Sequence, residues 1–445
     1  MAKLPSGRIG RVLSLSDLRQ TEGLGRRLRR PAMSFGDQAF CSICNFLTTV
    51  LLARMLGLEG FGLYAMIWLP IYLAMSLQLG LIVSPMMSIG GKLSKGEAES
   101  YFGTVLLHEL AFLAVSAVAI GGVAAALSLS DPRFSGTVLP AAAMAAAYLA
   151  QDFLRRLLFV RGRPGSALAI DLINQGGKLG ALMLLGRWWS ADLGGVLWIV
   201  AGAAAASALL GLALAGPIAW RPRGFIETTA RQWRSARWLV LTGCVQWILG
   251  YSGMIVAGGL LGAKALGALR AVQSLLAVLN VVREALENVV PPLAGRSLAQ
   301  DGLEGLTQTI GVCVLAAAAA GAATFAGLAL FGPWLLHLLY GEGIADYSGV
   351  ILWYGLVFPL ALVNLVLGCL FRALERTRSL FTASLLAACL NLAIVYPMTA
   401  GFGIYGIAAV SLISEVVVLM VLSRAAWRVV KGDRPALRSP EPATA

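Results

Sequence analysis

The sequence is poor in charged residues. Only 13% of its 445 residues are Asp, Glu, Lys or Arg, whereas 58% are hydrophobic. Soluble domains carry roughly 25% charged residues, and a soluble globule cannot cover so much apolar surface. The weak alternation of apolar and polar residues that marks the strands of a membrane barrel is also missing. The composition therefore predicts an all-α polytopic membrane protein, because helices satisfy their own backbone groups in lipid.

Signatures of catalysis and of cofactor binding are lacking as well. The chain has two histidines, His108 and His337, and none of the motifs of phosphate-binding loops, zinc proteases or serine hydrolases. Its six cysteines show no Cys/His spacing typical of a metal site. The longest loop expected opposite the termini, 332–344, is too short for a catalytic domain. We therefore expect no enzymatic activity, no metal and no cofactor.

The apolar residues are gathered into segments of about 20 residues, the length that a helix needs to cross ~30 Å of hydrocarbon. Twelve such segments are present, at 34–56, 61–89, 104–128, 137–160, 165–187, 193–216, 237–261, 265–292, 308–331, 345–371, 379–397 and 403–424. The longest polar interruption separates six segments from six. We predict a basic N-terminal tail (1–33), an N-lobe (34–216), a basic linker (217–236), a C-lobe (237–424) and a basic C-terminal tail (425–445).

The distribution of basic residues predicts the orientation. With the N-terminus in the cytoplasm, 29 of the 35 Lys and Arg fall on the cytoplasmic side and five on the opposite side. Cytoplasmic loops of membrane proteins carry such an excess, so both termini are predicted to be cytoplasmic. The net charge of +13 then reflects topology and contact with anionic membrane lipids. Nucleic acid is not an expected partner.

Two short patterns recur between the halves at an offset of 205–213 residues. Gly57 and Gly62 correspond to Gly262 and Gly267, with the glycines of each pair five positions apart, and a second pattern aligns 157–169 with 370–383. Six spans per half is an even number, so equivalent helices keep the same orientation. We predict two lobes related by a parallel pseudo-two-fold repeat, with a substrate site between them that opens alternately to either side.

Lys178 is the first candidate for substrate binding, because a charge at the centre of a span costs at least ~2.5 kcal/mol and is seldom kept without a role. It lies in the middle of the fifth segment beside three glycines, seven residues after Asp171. Two interpretations remain open. Lys178 faces a water-filled cavity and recognises a pyrophosphate, or it belongs to an internal ion pair on the helix face that it shares with Asp171.

Four arginines complete the set of basic candidates. Arg155 and Arg156 lie towards the cytoplasmic end of the fourth span, where they form either the entry site for an anionic lipid carrier or an interfacial charge cluster. Arg54 and Arg270 lie in equivalent zones of the two lobes, and snorkelling to the membrane surface is their alternative role.

Acidic residues at membrane depth are the candidates for ion coupling. Asp171, Glu109 and Glu415 fall inside predicted spans and would supply proton or sodium sites if transport is coupled. Their spacing specifies no ion, and for each of them a purely structural role is the alternative.

Two motifs resemble those of Wzx-type polysaccharide exporters, a family of the multidrug/oligosaccharidyl-lipid/polysaccharide (MOP) flippase superfamily. The first is LLARMLGLEGFGLYA at 51–65, which contains the Arg, Leu-Gly, Phe-Gly and Tyr of the family's first loop. The second is GFGIYGIAA at 401–409, in the turn between the eleventh and twelfth spans. The resemblance covers 34–424, essentially the whole membrane portion.

This resemblance implies a MATE/MOP-like fold of twelve helices in two lobes around a cationic cavity, in the bacterial inner membrane. The cargo would be an undecaprenyl-pyrophosphate-linked oligosaccharide for exopolysaccharide, capsule or O-antigen synthesis, and the polysaccharide polymerase or export machinery would be protein partners. The cavity candidates would be Lys178, Arg54, Arg155, Arg156 and Arg270.

Three other functions remain distinct alternatives. A MATE-like cation-coupled drug antiporter would favour a cavity dominated by carboxylates, whereas this chain offers both signs of charge and a mid-span lysine. A membrane enzyme of the same pathway would need a larger extracytoplasmic loop. A purely structural membrane partner would need neither buried charge nor a six-plus-six repeat.

Overall fold

The computed structural model describes residues 15–90, 93, 95–188, 192–217, 225–277 and 279–431. Side chains are described from residue 40 onward, except at 95, 185–188 and 235. All regular elements in these ranges are helices and none is a strand, so the predicted all-α class is confirmed for this part of the chain.

The α-helices follow one another with short connections. They are α1 (Leu15–Gln78), α2 (Ser84–Gly90), α3 (Lys95–Ser130), α4 (Val138–Val160), α5 (Pro164–Asp171), α6 (Gly177–Trp188), α7 (Leu193–Ala215), α8 (Phe225–Val256), α9 (Ala263–Ala277), α10 (Asn280–Tyr340), α11 (Val350–Ala373) and α12 (Thr377–Val430). Three π-helical turns lie among them in the described ranges, Leu79–Val83, Leu172–Gly176 and Ala257–Leu261. Such turns add one residue to a helix and occur frequently at functional sites.

Seven helical segments in the described ranges are long and apolar enough to cross a membrane: Phe40–Gly90, Gly96–Ser130, Leu193–Ala215, Ala236–Leu261, Asn280–Tyr340, Val350–Ala373 and Thr377–Val430. The chain is thus a multi-pass membrane protein. The predicted spans 137–160 and 165–187 are outside this set, and the predicted span 265–292 is in it only from Asn280 onward. The first two contain the charged candidates of α4, α5 and α6, and the third is divided between α9 and α10.

The longest of these segments are helical hairpins, because one glycine with non-helical torsions interrupts each of them. In α12, Asn391 donates a hydrogen bond to Ser414 Oγ at 3.4 Å across Gly403. In α10, the hydroxyls of Ser297 and Thr309 are 2.6 Å apart across Gly302. Residues 23 and 12 positions apart would be about 34 and 18 Å apart in a straight helix. The two arms of each hairpin therefore lie side by side.

The first repeat has the same backbone torsions at its two corresponding glycines. Gly57 has φ 67° and ψ 172°, and Gly262 has φ 85° and ψ 177°. This region of torsion space is essentially open to glycine alone. The same break therefore begins the second arm of α1 and the helix α9.

The repeat also forms a close backbone contact between the halves. A Cβ on Gly62 would lie 1.8 Å from the Ala263 carbonyl oxygen, and a Cβ on Gly267 would lie 1.9 Å from the Leu58 carbonyl oxygen. The two contacts are reciprocal, as expected of equivalent positions on either side of a pseudo-two-fold axis. Only glycine permits the backbones of α1 and α9 to approach so closely.

The second repeat likewise forms a turn of the same kind in each half. The backbone N–H of Arg163 donates to the Leu158 carbonyl at 2.9 Å, and that of Arg376 donates to the Phe371 carbonyl at 2.8 Å. The residue before each arginine has a positive φ, 68° in the first half and 57° in the second. The alignment of these two segments therefore has a structural basis.

The helices extend beyond the predicted membrane boundaries. Residues 225–236 of the predicted linker belong to α8, residues 15–33 of the N-terminal tail belong to α1, and α12 continues to Val430 in the C-terminal tail. The sequence boundaries mark the end of the apolar pattern, and a helix need not end where its apolar residues do. Residues 1–14, 218–224 and 432–445 lie outside the described part of the chain.

We predict that Gly62→Ala lowers the stability of the protein by about 1–3 kcal/mol, because the new methyl group forces the backbones of α1 and α9 apart. Thermal unfolding in detergent measures the effect. Gly122→Ala is the matched control, since nothing lies within 4 Å of its Cβ position and alanine is the better helix former. Equal melting temperatures for the two variants would contradict the assigned contact.

Candidate functional site

A central cavity of about 350 Å³ lies between the two halves. Both arms of α1 line it, together with residues of α4, α6, α9 and the start of α10. Asn45 and Tyr72 both line it although 27 residues separate them, so the arms of α1 must fold back on each other at Gly57. The lining combines charged, amide, hydroxyl and aromatic side chains, as expected of a site for a polar ligand.

Lys178 lies in the wall of the central cavity and comes from the N-terminal half. Its ammonium donates to Gln175 Oε1 at 2.6 Å and to Asn45 Oδ1 at 3.3 Å, and the residue is only 5% exposed. Both acceptors are neutral amides, so these contacts satisfy the ammonium without cancelling its charge. This arrangement corresponds to the cavity interpretation of Lys178.

Arg270 faces the same cavity from the C-terminal half. Its Nη2 donates to the Tyr72 hydroxyl at 2.5 Å, and its guanidinium carbon is 5.4 Å from the centroid of the same ring. Arg270 follows the Gly267 contact by one turn of α9. The close approach of the two backbones therefore brings this cation against α1.

Aromatic rings also line the cavity that holds these cations, and sequence reasoning did not identify them. Tyr64, Trp68 and Tyr72 follow one another at intervals of four residues in α1, and Tyr148 of α4 completes this aromatic wall. The Trp68 ring centroid is 5.3 Å from that of Tyr72 and 4.8 Å from that of Tyr148. The four-residue spacing was the available signal, because it places the rings on one helix face.

Arg155 and Arg156 are held in ion pairs and do not line the central cavity. Arg155 Nε is 2.5 Å from Asp171 Oδ2, and the other oxygen of the same carboxylate accepts a hydrogen bond from Gln151 at 2.8 Å. Arg156 Nε is 2.8 Å from Asp152 Oδ2. Both arginines thus belong to a charge cluster, which is one of the two alternatives that the sequence left open. The carboxylate of Asp171 is neutralised by α4, while Lys178 projects elsewhere.

The π-helical turn Leu172–Gly176 explains this divergence of Asp171 and Lys178. Seven residues make two turns of a regular helix and would put both side chains on one face. The π-helical turn between them contains one residue more per turn. The expectation of a shared helix face rests on a regular helix, which this segment does not form.

Arg54 is the third candidate that lies outside the central cavity. Its Nε donates to the Leu339 carbonyl at 2.8 Å and its Nη2 to the Leu338 carbonyl at 2.5 Å. These carbonyls belong to the last turn of α10, where a cation is favoured by unsatisfied backbone acceptors and by the helix dipole. Arg54 therefore joins the two halves at one end of the molecule. A second cavity of about 740 Å³ lies beside it, and Lys264 also lines that cavity.

Two of the three acidic candidates accept hydrogen bonds from amides, Glu109 as a buried residue and Glu415 as a half-buried one. Glu109 accepts a hydrogen bond from Gln78 Nε2 at 2.6 Å, and Glu415 accepts one from Asn364 Nδ2 at 2.6 Å. Neither residue lines the central cavity. The structure thus brings together Lys178 and Arg270 from opposite halves and disperses the other charged candidates among supporting contacts.

Family comparisons agree with the resemblance seen in the two sequence motifs. Residues 37–294, more than half of the chain, match the model of a family described as polysaccharide biosynthesis protein. Residues 239–397 match the MatE family model. Among curated proteins, no sequence matches the chain.

Solved structures of MOP transporters share the fold. An inward-facing multidrug resistance MATE family transporter aligns with a TM-score of 0.69 and 13% identity, over 88% of this chain and 96% of its own. The lipid II flippase MurJ, in an inward closed conformation, aligns with a TM-score of 0.68 and 13% identity, over 89% and 87%. A MOP superfamily transporter from Pyrococcus furiosus has a TM-score of 0.61 and 13% identity, over 88% and 94%.

We predict that Arg155→Ala destabilises the protein more than Arg156→Ala. The first change removes the Arg155 guanidinium from the 2% exposed Asp171, and removing one partner of a buried pair costs about 3–5 kcal/mol. The second breaks a more exposed pair at helical spacing, which contributes about 0.3–0.5 kcal/mol. Thermal unfolding of the purified variants compares the two. Asp171→Asn added to Arg155→Ala should recover part of the loss, and its failure to do so would contradict the assigned pair.

Proposed function

Because the chain belongs to the polysaccharide biosynthesis protein family, we propose that it is a flippase for undecaprenyl-pyrophosphate-linked oligosaccharides. It would move these repeat units across the bacterial inner membrane by alternating access, for the synthesis of exopolysaccharide, capsule or O-antigen. The fold of MOP superfamily transporters supports a transport function and provides the two halves that such a movement needs.

One observation carries the proposal: Lys178 and Arg270 reach one cavity from opposite halves. A pyrophosphate is an anion with several acceptor oxygens, and charge-assisted hydrogen bonds from an ammonium and a guanidinium match it. An anion held by both halves would favour the state in which they close around it. Binding would thereby be linked to the rocking movement.

The aromatic wall supports a sugar-bearing cargo. Tyr64, Trp68, Tyr72 and Tyr148 offer broad apolar ring faces together with hydroxyl and indole groups. Side chains with an apolar body and a polar tip suit ligands whose surfaces alternate between C–H and hydroxyl groups. The pyrophosphate would lie between the cations and the first sugars against the rings.

The alternative is a MATE-like antiporter for cationic drugs, which the shared fold also accommodates. The charge of the central cavity favours the flippase, because a cationic drug would meet Lys178 and Arg270 and be repelled. Glu284 is the acidic residue in the lining, and it is the feature that most favours the antiporter.

The proposed topology has twelve crossings. The hairpins at Gly57, Gly302 and Gly403 each contain two spans, so the seven apolar segments give ten. The α4 and α5–α6 segments, which contain charged residues, cross the membrane beside them and complete the twelve. Both termini lie in the cytoplasm in this proposal, as the positive-inside rule predicts. The protein would act without catalysis, in contact with membrane lipids and with the polysaccharide polymerase or export machinery.

We expect Lys178→Ala and Arg270→Ala each to weaken precursor binding by about 10- to 100-fold, since a hydrogen bond to a charged group contributes about 1.5–3 kcal/mol. In a deletion strain complemented with either variant, surface polysaccharide should fall and precursor should accumulate on the cytoplasmic leaflet of membrane vesicles. Lys178→Arg should retain part of the function because it keeps the charge.

The matched control is Lys431→Ala, which removes an exposed lysine at the end of α12. It should leave the polysaccharide and the precursor at wild-type levels. Normal surface polymer in strains carrying stably expressed Lys178→Ala and Arg270→Ala, together with altered sensitivity to cationic drugs, would overturn the flippase and favour the antiporter.

A reporter fusion tests the proposed orientation. Alkaline phosphatase, which is active only outside the cytoplasm, should be inactive when fused after Lys431 and active when inserted at Ser135, between α3 and α4. The reverse pattern would place both termini outside.

A further inference from the structure

Glu109 of α3 is a buried carboxyl group that the proposed substrate site does not use. It is 1% exposed and its Oε1 accepts from Gln78 Nε2 at 2.6 Å. The same amide nitrogen donates to the Leu149 carbonyl at 2.9 Å. Both hydrogens of the Gln78 amide are therefore used, and these two acceptors fix its orientation.

Two oxygens of this pair have no hydrogen-bond partner among the described residues, Glu109 Oε2 and Gln78 Oε1. Both are acceptors, and leaving a polar atom unsatisfied in an apolar interior costs about 1–3 kcal/mol, more when the group is charged. A proton on Glu109 Oε2 would remove the charge and supply a donor where the unpartnered atoms are both acceptors. The Glu109–Gln78 pair can thus take up one proton, on Glu109 Oε2.

Gln78 belongs to this pair and also lies beside a second contact between the halves, the contact with α8. It immediately precedes the π-helical turn Leu79–Val83. On one side of it, a Cβ on Gly243 would lie 2.8 Å from Ser76 Oγ; on the other, a Cβ on Gly80 would lie 3.0 Å from the Val240 backbone. Gln78 therefore lies between two close contacts with α8, one made by the end of α1 and one by the π-helical turn that follows it, and we call these contacts the α1–α8 seam.

The charged groups around Glu109 are few. Asp152 of α4 acts on it electrostatically and is itself paired with Arg156. His108, the neighbouring residue in α3, is hydrogen-bonded to Thr229 of α8 at 2.9 Å. From α1 the contact is the uncharged Gln78. Among the described residues, the carboxylate of Glu109 forms no ion pair with a cation.

We propose that Glu109 and Gln78 form a single-proton site that controls the α1–α8 seam. Uptake of a proton converts the carboxylate to a neutral carboxyl group, which the apolar interior accommodates with the seam closed. Loss of the proton leaves a buried charge, which is relieved when the seam opens and water enters. Proton movement is thereby coupled to the rocking of the halves, and this inference rests on the transport function proposed above.

The test needs no substrate, because the probe is the proton itself. Infrared difference spectra of the purified protein between low and high pH detect the carbonyl band of a protonated carboxyl group. The band of Glu109 should be present in the wild type and lost in Glu109→Gln, which resembles the neutral side chain in shape. Glu304→Gln, at an exposed carboxylate in α10, is the matched control and should keep the band.

Movement of the halves is measured by the distance between spin labels at Ser135→Cys and Asp346→Cys, in a variant without the six native cysteines. The distance should change between low and high pH in this spin-labelled background and after Glu304→Gln is added to it. It should stay constant after Glu109→Gln is added. An unchanged band in Glu109→Gln would overturn the proton site, and a pH-independent distance in the background would overturn the coupling. Neither readout uses a precursor, so failure of the flippase function itself would appear only in the polysaccharide assay.

Discussion

The contact of the two halves through Gly62 and Gly267 is the constraint on which the rest of the structure depends. Each glycine faces a backbone carbonyl of the other half, at a distance that leaves no room for a methyl group. Lipid provides no hydrophobic force between helices, so close backbone packing is a main source of attraction. Because the contacts are reciprocal, the halves meet as equivalent units, and side chains one turn further along each helix face the interior between them.

The charges inside the protein divide according to their partners. Arg155, Arg156 and Asp171 meet opposite charges within the N-terminal half, which lowers the cost of keeping them in a membrane. Lys178 and Arg270 are held by an amide pair and by a phenol. Neutral partners keep these two side chains in place and preserve their attraction for an anion. The same residue types thus have different roles because their partners differ.

Much of the architecture was predictable because membrane helices have a strong sequence signal. The apolar segments, the repeated glycines and the choice of Lys178 as a candidate follow from composition and spacing. The ion pair of Arg155 with Asp171 did not follow, since the sequence does not specify which residues of α4 and α5 meet. Arg54 was ambiguous for the same reason: its carbonyl partners lie 284 and 285 residues away. The aromatic wall had a signal, the four-residue spacing of Tyr64, Trp68 and Tyr72, which resembles ordinary membrane packing.

The π-helical turn before Lys178 acts as a phase shift within the membrane. Each residue rotates an α-helix by about 100°, so an extra residue turns everything that follows by that angle without changing its composition. Removing one residue from Leu172–Gly176 would restore a regular helix and point the lysine away from the central cavity, with the same charge at nearly the same depth. In this segment, the presence of Lys178 in the lining of the cavity therefore depends on the number of residues as much as on their identity.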